Sequence, residues 1–155
     1  MEILRTVDDM RDWRARLSQD IRVGFAPTMG NLHAGHVSLL HAAKAHTDLA
    51  VASIFVNPMQ FGPGEDLDSY PRTLEVDLAK LHTAGADAVF IPRAEDIYPE
   101  GIDQHTSVDV PDLTDVLCGA QRPGHFRGVT TVVSKLLGVV RPHIAFFGAK
   151  DLQQV

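Results

Sequence analysis

Cysteine is nearly missing from this chain. Cys118 stands alone among 155 residues, which excludes an intrachain disulfide framework and suits a reducing compartment. No sequence feature marks it as a nucleophile, so a buried, inert thiol is expected. No stretch approaches the ~20 apolar residues of a membrane span. Met1–Arg5 lacks the basic segment and apolar run of a secretory leader, and the expectation is a cytoplasmic protein with no membrane partner. Basic tracts are absent too. A formal net charge of −6 argues against a nucleic-acid partner, yet leaves room for a local anion site built from a few aimed donors. There is no Gly-x-x-x-x-Gly-Lys-Ser/Thr, which excludes a Walker A loop.

What is present is ordinary globular material. Hydrophobic residues make up 45% and charged residues 22%, enough apolar surface to offset chain entropy in one compact domain with a single core. Thr6–Leu17 reads as a helix, with Thr6 as N-cap, Asp9 in capping-box position and an apolar stripe of Val7, Met10, Trp13 and Leu17. Ile21–Ala26 reads as a strand stopped by Pro27, and Ala34–Ala45 as a helix. Leu49–Val56 is a nearly continuous apolar run, which fits a strand covered on both faces. A helix at Thr73–Ala84, a strand at Ala88–Ile91 and a helix at His125–Val140 follow. Ile144–Phe147 reads as a last strand, and Thr106–Val110 as an extra one. Strands alternating with helices predict an α/β fold with a parallel, doubly wound sheet. Ligands bind such sheets beyond the carboxyl ends of the strands. That directs attention to the residues after Ala26, Val56 and Phe147.

After the first of these lies Pro27-Thr28-Met29-Gly30-Asn31-Leu32-His33-Ala34-Gly35-His36. Gly30 and Gly35 permit close backbone approach, and the helix that begins here aims free N–H groups at an anion. His33 and His36 lie three apart on a first helical turn and share a face, so both can donate to a phosphate chain. Two rival readings are a helix cap with two surface histidines and a metal pair; the latter lacks a third ligand at typical spacing. Asn57-Pro58-Met59-Gln60-Phe61-Gly62 offers amides suited to a small hydroxy acid, with Met59 and Phe61 as pocket walls. In Gly148-Ala149-Lys150-Asp151, Lys150 is a point charge for phosphates and Asp151 a partner for ribose or metal-bound water. Arg122, His125 and Arg127 at a helix start either guide anions or order a loop. Glu65, Asp66 and Asp68 read as a solvated or salt-bridged loop. His41, His46, His82, His105 and His143 belong to no constellation.

Taken in order, these segments resemble the pantoate–β-alanine ligase (pantothenate synthetase) family. The resemblance rests on Pro27–His36, Phe55–Phe61, Asp66–Thr73, Ile91–Pro99, Leu117–Val129 and Phe146–Gln154. A lone His-x-Gly-His is shared by many nucleotidyltransferases and class I aminoacyl-tRNA synthetases; the ordered set is far more specific. The resemblance implies a Rossmann-like domain over residues 1–155 and a two-step reaction. Pantoate attacks the α-phosphate of ATP to give pantoyl adenylate and pyrophosphate, and β-alanine then displaces AMP. It also implies that Met29, Gly30, Asn31, Leu32, His33, Ala34, Gly35 and His36 line the ATP site together with Gly148, Ala149, Lys150 and Asp151. His36 acts as catalytic proton donor, with His33 and Lys150 on the phosphates. Gln60 and Gln154 hold pantoate, Gln60 also lies at the β-alanine site, Mg²⁺ is carried by the ATP phosphates with no metal ligand assigned, and the assembly is a homodimer. The family commonly has an acidic or amide residue at position 149 and an aromatic at 152, where this chain has Ala149 and Leu152. It also has a further stretch and a small lid domain after position 155, so the expectation is an incomplete domain with weak ATP binding and little turnover. The rival expectations are another His-x-Gly-His nucleotidyltransferase and a non-catalytic nucleotide-binding or dimerisation module.

Overall fold

Strand residues alternate between two hydrophobic clusters, one on each face of a single parallel sheet. The computed structural model describes residues 1–62, 65 and 67–154, without the side chain of Gln154. Among these residues the order is β1 (Glu2–Leu4), α1 (Val7–Ala15), β2 (Val23–Thr28), α2 (Ala34–His46), β3 (Leu49–Ile54), α3 (Leu74–Thr83), β4 (Ala88–Phe90), α4 (Ala94–Ile97), α5 (Cys118–Gln121), α6 (His125–Val140) and β5 (Ile144–Ala145). Turns of 3-10 helix cover Pro58–Gln60 and, with a kink at Asp151, Ala149–Gln154. The strands lie in the order β1-β4-β3-β2-β5, every pair parallel.

The layering follows from the two-residue period of a strand. Val51 of β3 packs with Met10 and Trp13 of α1 and with Val132, Leu136 and Val140 of α6. Its neighbours Ala50 and Ala52 face the other way, against Leu40 and Ala43 of α2 and Leu81 of α3. The expected single core is therefore divided in two by the sheet, as a doubly wound fold requires. The capping box at α1 is present: Thr6 Oγ1 accepts from Asp9 N at 3.0 Å, and Asp9 Oδ2 accepts from Thr6 N at 2.9 Å.

Several boundaries differ from the expectation. Pro27 does not stop β2 but lies within it, paired with Ser53. Val23 O and Phe25 O accept from His143 N and Phe146 N on the β5 side, so Pro27, in the same phase, has its missing N–H on that side. There β5 has already ended, and no ladder bond is lost. Thr106–Val110 joins no strand: Thr130 and Thr131 side chains of α6 bind Val108 O, and Val108 N donates to Thr131 Oγ1. β1, too short for a periodic signal, pairs with β4 at the edge. Cys118 is exposed, not buried.

Topology sets the place of the site. From β2 the chain crosses one face through α2 to reach β3, while α6 on the other face delivers β5 to the opposite side of β2. The carboxyl ends of β2 and β5 thus flank a switch point, where a crevice opens.

Candidate active site

At the end of β2 the backbone turns sharply. Gly30 has φ 86° and Asn31 φ 49°, and a Cβ on Gly30 would stand 3.1 Å from Ile54 Cγ2 and 3.2 Å from Asp77 Oδ2, so only glycine fits. The turn is fastened from α3. Asp77, 1% exposed, accepts Asn31 N at 2.9 Å, Leu32 N at 2.8 Å and Thr73 Oγ1 at 3.0 Å, and Lys80 Nζ donates to Leu32 O.

That turn delivers His33 to the N-cap of α2. His33 Nδ1 accepts from Gly35 N at 3.1 Å, and His36 Nδ1 accepts from His33 N at 3.3 Å. The rings lie 4.1 Å apart between centroids. Both Nδ1 atoms act as acceptors, so each neutral ring carries its proton on Nε2. Capping and anion binding are therefore compatible: the cap uses Nδ1 and leaves an N–H donor on each ring. Burial, then the neighbouring His33 and Lys150, hold the His36 imidazole below its ordinary value, against a smaller opposite pull from Asp151 and Asp77.

A second hub follows β3. Asn57 is fully buried and caps the 3-10 turn, its Oδ1 accepting from Met59 N at 3.3 Å and from Tyr98 Oη at 2.8 Å. Its Nδ2 donates to Gly128 O at 3.1 Å and to Gln60 Oε1 at 3.0 Å. Met59 N can only donate and Gly128 O can only accept, which fixes the Asn57 amide and, through it, that of Gln60. Gln60 spends its oxygen inside the protein and keeps its NH₂ as the group it offers to the cavity. Burial pushes the Tyr98 hydroxyl up to about 12, so it remains a donor at neutral pH.

The crevice is a cavity of about 540 Å³. It is lined by Thr28, Met29, His33, Gly35 and His36, by Gly148–Asp151 beyond β5, by Gln60 and Tyr70, and by Val129, Val132, Val133 and Leu136 of α6. Lys150 Nζ contacts both Asp151 carboxylate oxygens at 2.7 Å. The cavity joins imidazole and ammonium donors to an amide donor beside apolar walls, a combination suited to a phosphate chain next to a branched small acid.

A family model for pantoate–β-alanine ligase matches residues 2–155. This chain belongs to that family. It is 55% identical over 159 residues to the pantothenate synthetase of Alteromonas mediterranea, spanning all of this chain and 55% of that relative. It is also 55% identical over 156 residues to that of Pseudomonas fluorescens, spanning all of this chain and 54% of that relative. Among solved structures, pantothenate synthetase from Thermus thermophilus superposes with a TM-score of 0.91 at 50% identity, over 99% of this chain and 54% of that one. Pantoate–β-alanine ligase from Francisella tularensis, complexed with βγ-ATP and β-alanine, gives 0.94 at 39% identity, over 99% and 59%. The chain thus spans about half the length of these ligases.

Of the residues singled out from the sequence, Met29, His33, Gly35, His36, Gln60, Gly148, Ala149, Lys150 and Asp151 converge on the cavity. Gly30 and Asn31 shape the turn, Ala34 opens α2, and Leu32, 2% exposed, packs into the α2–α3 core. The Gln154 side chain and Asp66 lie outside the described residues. Met59 and Phe61 are not walls: Met59 packs against the α1–α6 core, and Phe61 stands edge-on to Tyr70 at 6.0 Å. Asp77, Lys80 and Tyr98 were missed. The signal for Asp77 was an acid among Leu74, Leu78 and Leu81 at helical spacing, the one charge on an inner stripe.

Proposed function

We propose that the cavity binds ATP and (R)-pantoate and, with β-alanine, serves pantothenate formation through a pantoyl adenylate. The observation that carries this reading is the convergence of the β2 and β5 ends on one cavity in a chain of this family. The named ligands of the Francisella tularensis relative agree with it. A pantoate carboxylate oxygen attacks the α-phosphorus, the bond to the β-phosphate oxygen breaks, and pyrophosphate leaves. The β-alanine nitrogen then attacks the acyl carbon, the carbon–oxygen bond to phosphorus breaks with AMP leaving, and the amine proton passes to solvent.

In this reading His33 and His36 donate through Nε2 to phosphate oxygens as charge builds there, and His36 is the proton donor. Lys150 exchanges Asp151 for the departing pyrophosphate. Met29, His33, Gly35, His36 and Gly148–Asp151 contact the nucleotide, while Gly30–Leu32 and Ala34 shape the turn that presents them. Gln60 directs its NH₂ at pantoate and lies at the β-alanine site, and Gln154 is proposed as a second pantoate contact. Holding the reactants in line contributes as much as any single group. No group of three or more His, Cys, Asp or Glu among the described residues could hold a metal ion. Mg²⁺ carried on the ATP phosphates would supply charge neutralisation there.

No helix among the described residues is long and apolar enough to cross a membrane, and a cytoplasmic location is proposed. A homodimer is proposed for the assembly. Leu113, Val116 and Leu117, at 65%, 47% and 76% exposure, supply apolar surface for a second copy, and sedimentation of the purified chain tests it. The function is tested by pyrophosphate release from ATP. Release that requires pantoate, and not other small acids, supports the reading; ATP binding without release supports a non-catalytic module instead.

A further inference from the structure

The Gln60 main chain is held by Arg122 and His125 at the junction of α5 and α6. Its carbonyl oxygen lies 2.8 Å from His125 Nδ1 and accepts from Arg122 Nη2 at 3.3 Å. Arg122 Nη1 stands 3.1 Å from His125 Nε2. A guanidinium only donates, so Nε2 is the acceptor and the neutral ring keeps its proton on Nδ1, aimed at the carbonyl. Arg122 also grips Glu65 with two bonds, Nε to Oε1 at 2.6 Å and Nη2 to Oε2 at 2.8 Å. Glu65 Oε2 accepts from Gly62 N at 3.2 Å, and Glu65 N donates to Gly62 O at 3.0 Å. The carboxylate thereby ties the turn after Gln60 to the arginine.

We propose that Glu65, Arg122 and His125 are positioning residues for the acid-binding side of the cavity, a latch that fixes the Gln60 carbonyl and so aims the Gln60 NH₂. The inference rests on the reading of the cavity as a carboxylic-acid site. Asn57 holds the Gln60 side-chain oxygen and the latch holds its main chain, so the remaining donor has one direction left. Arg122 acts without touching the ligand, because all three guanidinium nitrogens are engaged within the protein. The pair is also a poor stability element. Its side chains are 39% and 35% exposed, and ion pairs so open to water contribute little to folding. Breaking it should free Gln60 without unfolding the domain.

The test uses Glu65→Gln, Arg122→Gln, the double variant and Arg122→Lys, which keeps charge but not the fork. Amide exchange at Gly62 and the Gln60 side-chain resonance are followed by NMR without ligand, and pantoate and ATP are titrated separately by calorimetry. Each single variant should weaken pantoate binding about three- to fivefold, the double variant no further, and Arg122→Lys should resemble Arg122→Gln. ATP affinity and Tm should stay at wild-type values while Gly62 exchange accelerates and the Gln60 resonance moves. Parallel losses of ATP and pantoate affinity, additive losses in the double variant, or unchanged Gly62 exchange would each overturn the proposal. If the wild-type chain takes no pantoate, the acid-site reading fails by itself. The ligand-free NMR then decides the latch: altered Gly62 and Gln60 signals support it, and unaltered ones overturn it.

Discussion

Asp77 and Leu32 are 45 positions apart, yet the Asp77 carboxylate accepts the Leu32 amide at 2.8 Å inside the protein. Through this bond and its partner at Asn31, α3 dictates the path of the turn that delivers both histidines. Asp77→Asn keeps the shape but leaves one acceptor oxygen for three donors. An unpaired buried amide costs about 1–3 kcal/mol, so urea unfolding should show a loss of that size, accompanied by weaker ATP binding. Wild-type stability in the variant would show that the turn stands without α3.

His36 titration has a definite sign. Its folded value lies below the ordinary 6.5, so the neutral ring is favoured in the fold. The stability it contributes is present above 6.5 and is lost as pH falls through the lowered value. NMR titration of the His36 ring without ligand should therefore give a midpoint below 6.5. ATP brings negative charge to the ring and should move that midpoint upward. A midpoint that ignores ATP would separate His36 from the phosphates.

Glu65 behaves in the complementary way. The Arg122 hydrogen bonds, then the Gly62 amide, depress its carboxyl from 4.5 to about 2. The associated stability, small for a pair so open to water, is present above 4.5 and is lost as pH falls from there through about 2. NMR titration of the Glu65 carboxyl should therefore give a midpoint well below 4.5, and Arg122→Gln should move it back up; a midpoint that ignores Arg122→Gln would show that the pair does not form.

Gly128 marks the contact of α6 with the turn that carries Gln60. A Cβ there would run into the Met59 carbonyl and stand 3.0 Å from Gln60 N. Gly128→Ala should cost about 1–3 kcal/mol by overpacking and displace the Gln60 turn, which calorimetry with pantoate would record as lost affinity. An alanine variant with native melting and native pantoate affinity would mean the turn yields freely.

The sequence made much of this site legible because its parts are local. His33, Gly35 and His36 fall within one helical turn, and their strand-end position follows from the alternation of strands and helices. The sheet was legible for the same reason, since β3 is a continuous apolar run and α6 has an apolar stripe. Three things were not. β1 has three residues and pairs with a strand some 86 positions on, Glu2 with Ala88, so no local pattern announces it. Asp77 shows only as an acid on an apolar stripe, and what it holds, the Asn31 and Leu32 main-chain amides, leaves no trace in side-chain identity. Thr106–Val110 alternates like a strand, but its backbone partners are threonine hydroxyls, not another strand.

The route of the carboxylate oxygen tests the central claim most directly. Pantoate labelled with ¹⁸O in its carboxylate is turned over with ATP and β-alanine, and the products are weighed by mass spectrometry. Attack on the α-phosphorus followed by acyl transfer predicts one labelled oxygen in AMP and none in pyrophosphate. Label in inorganic phosphate, or label retained wholly in the acid, would contradict it.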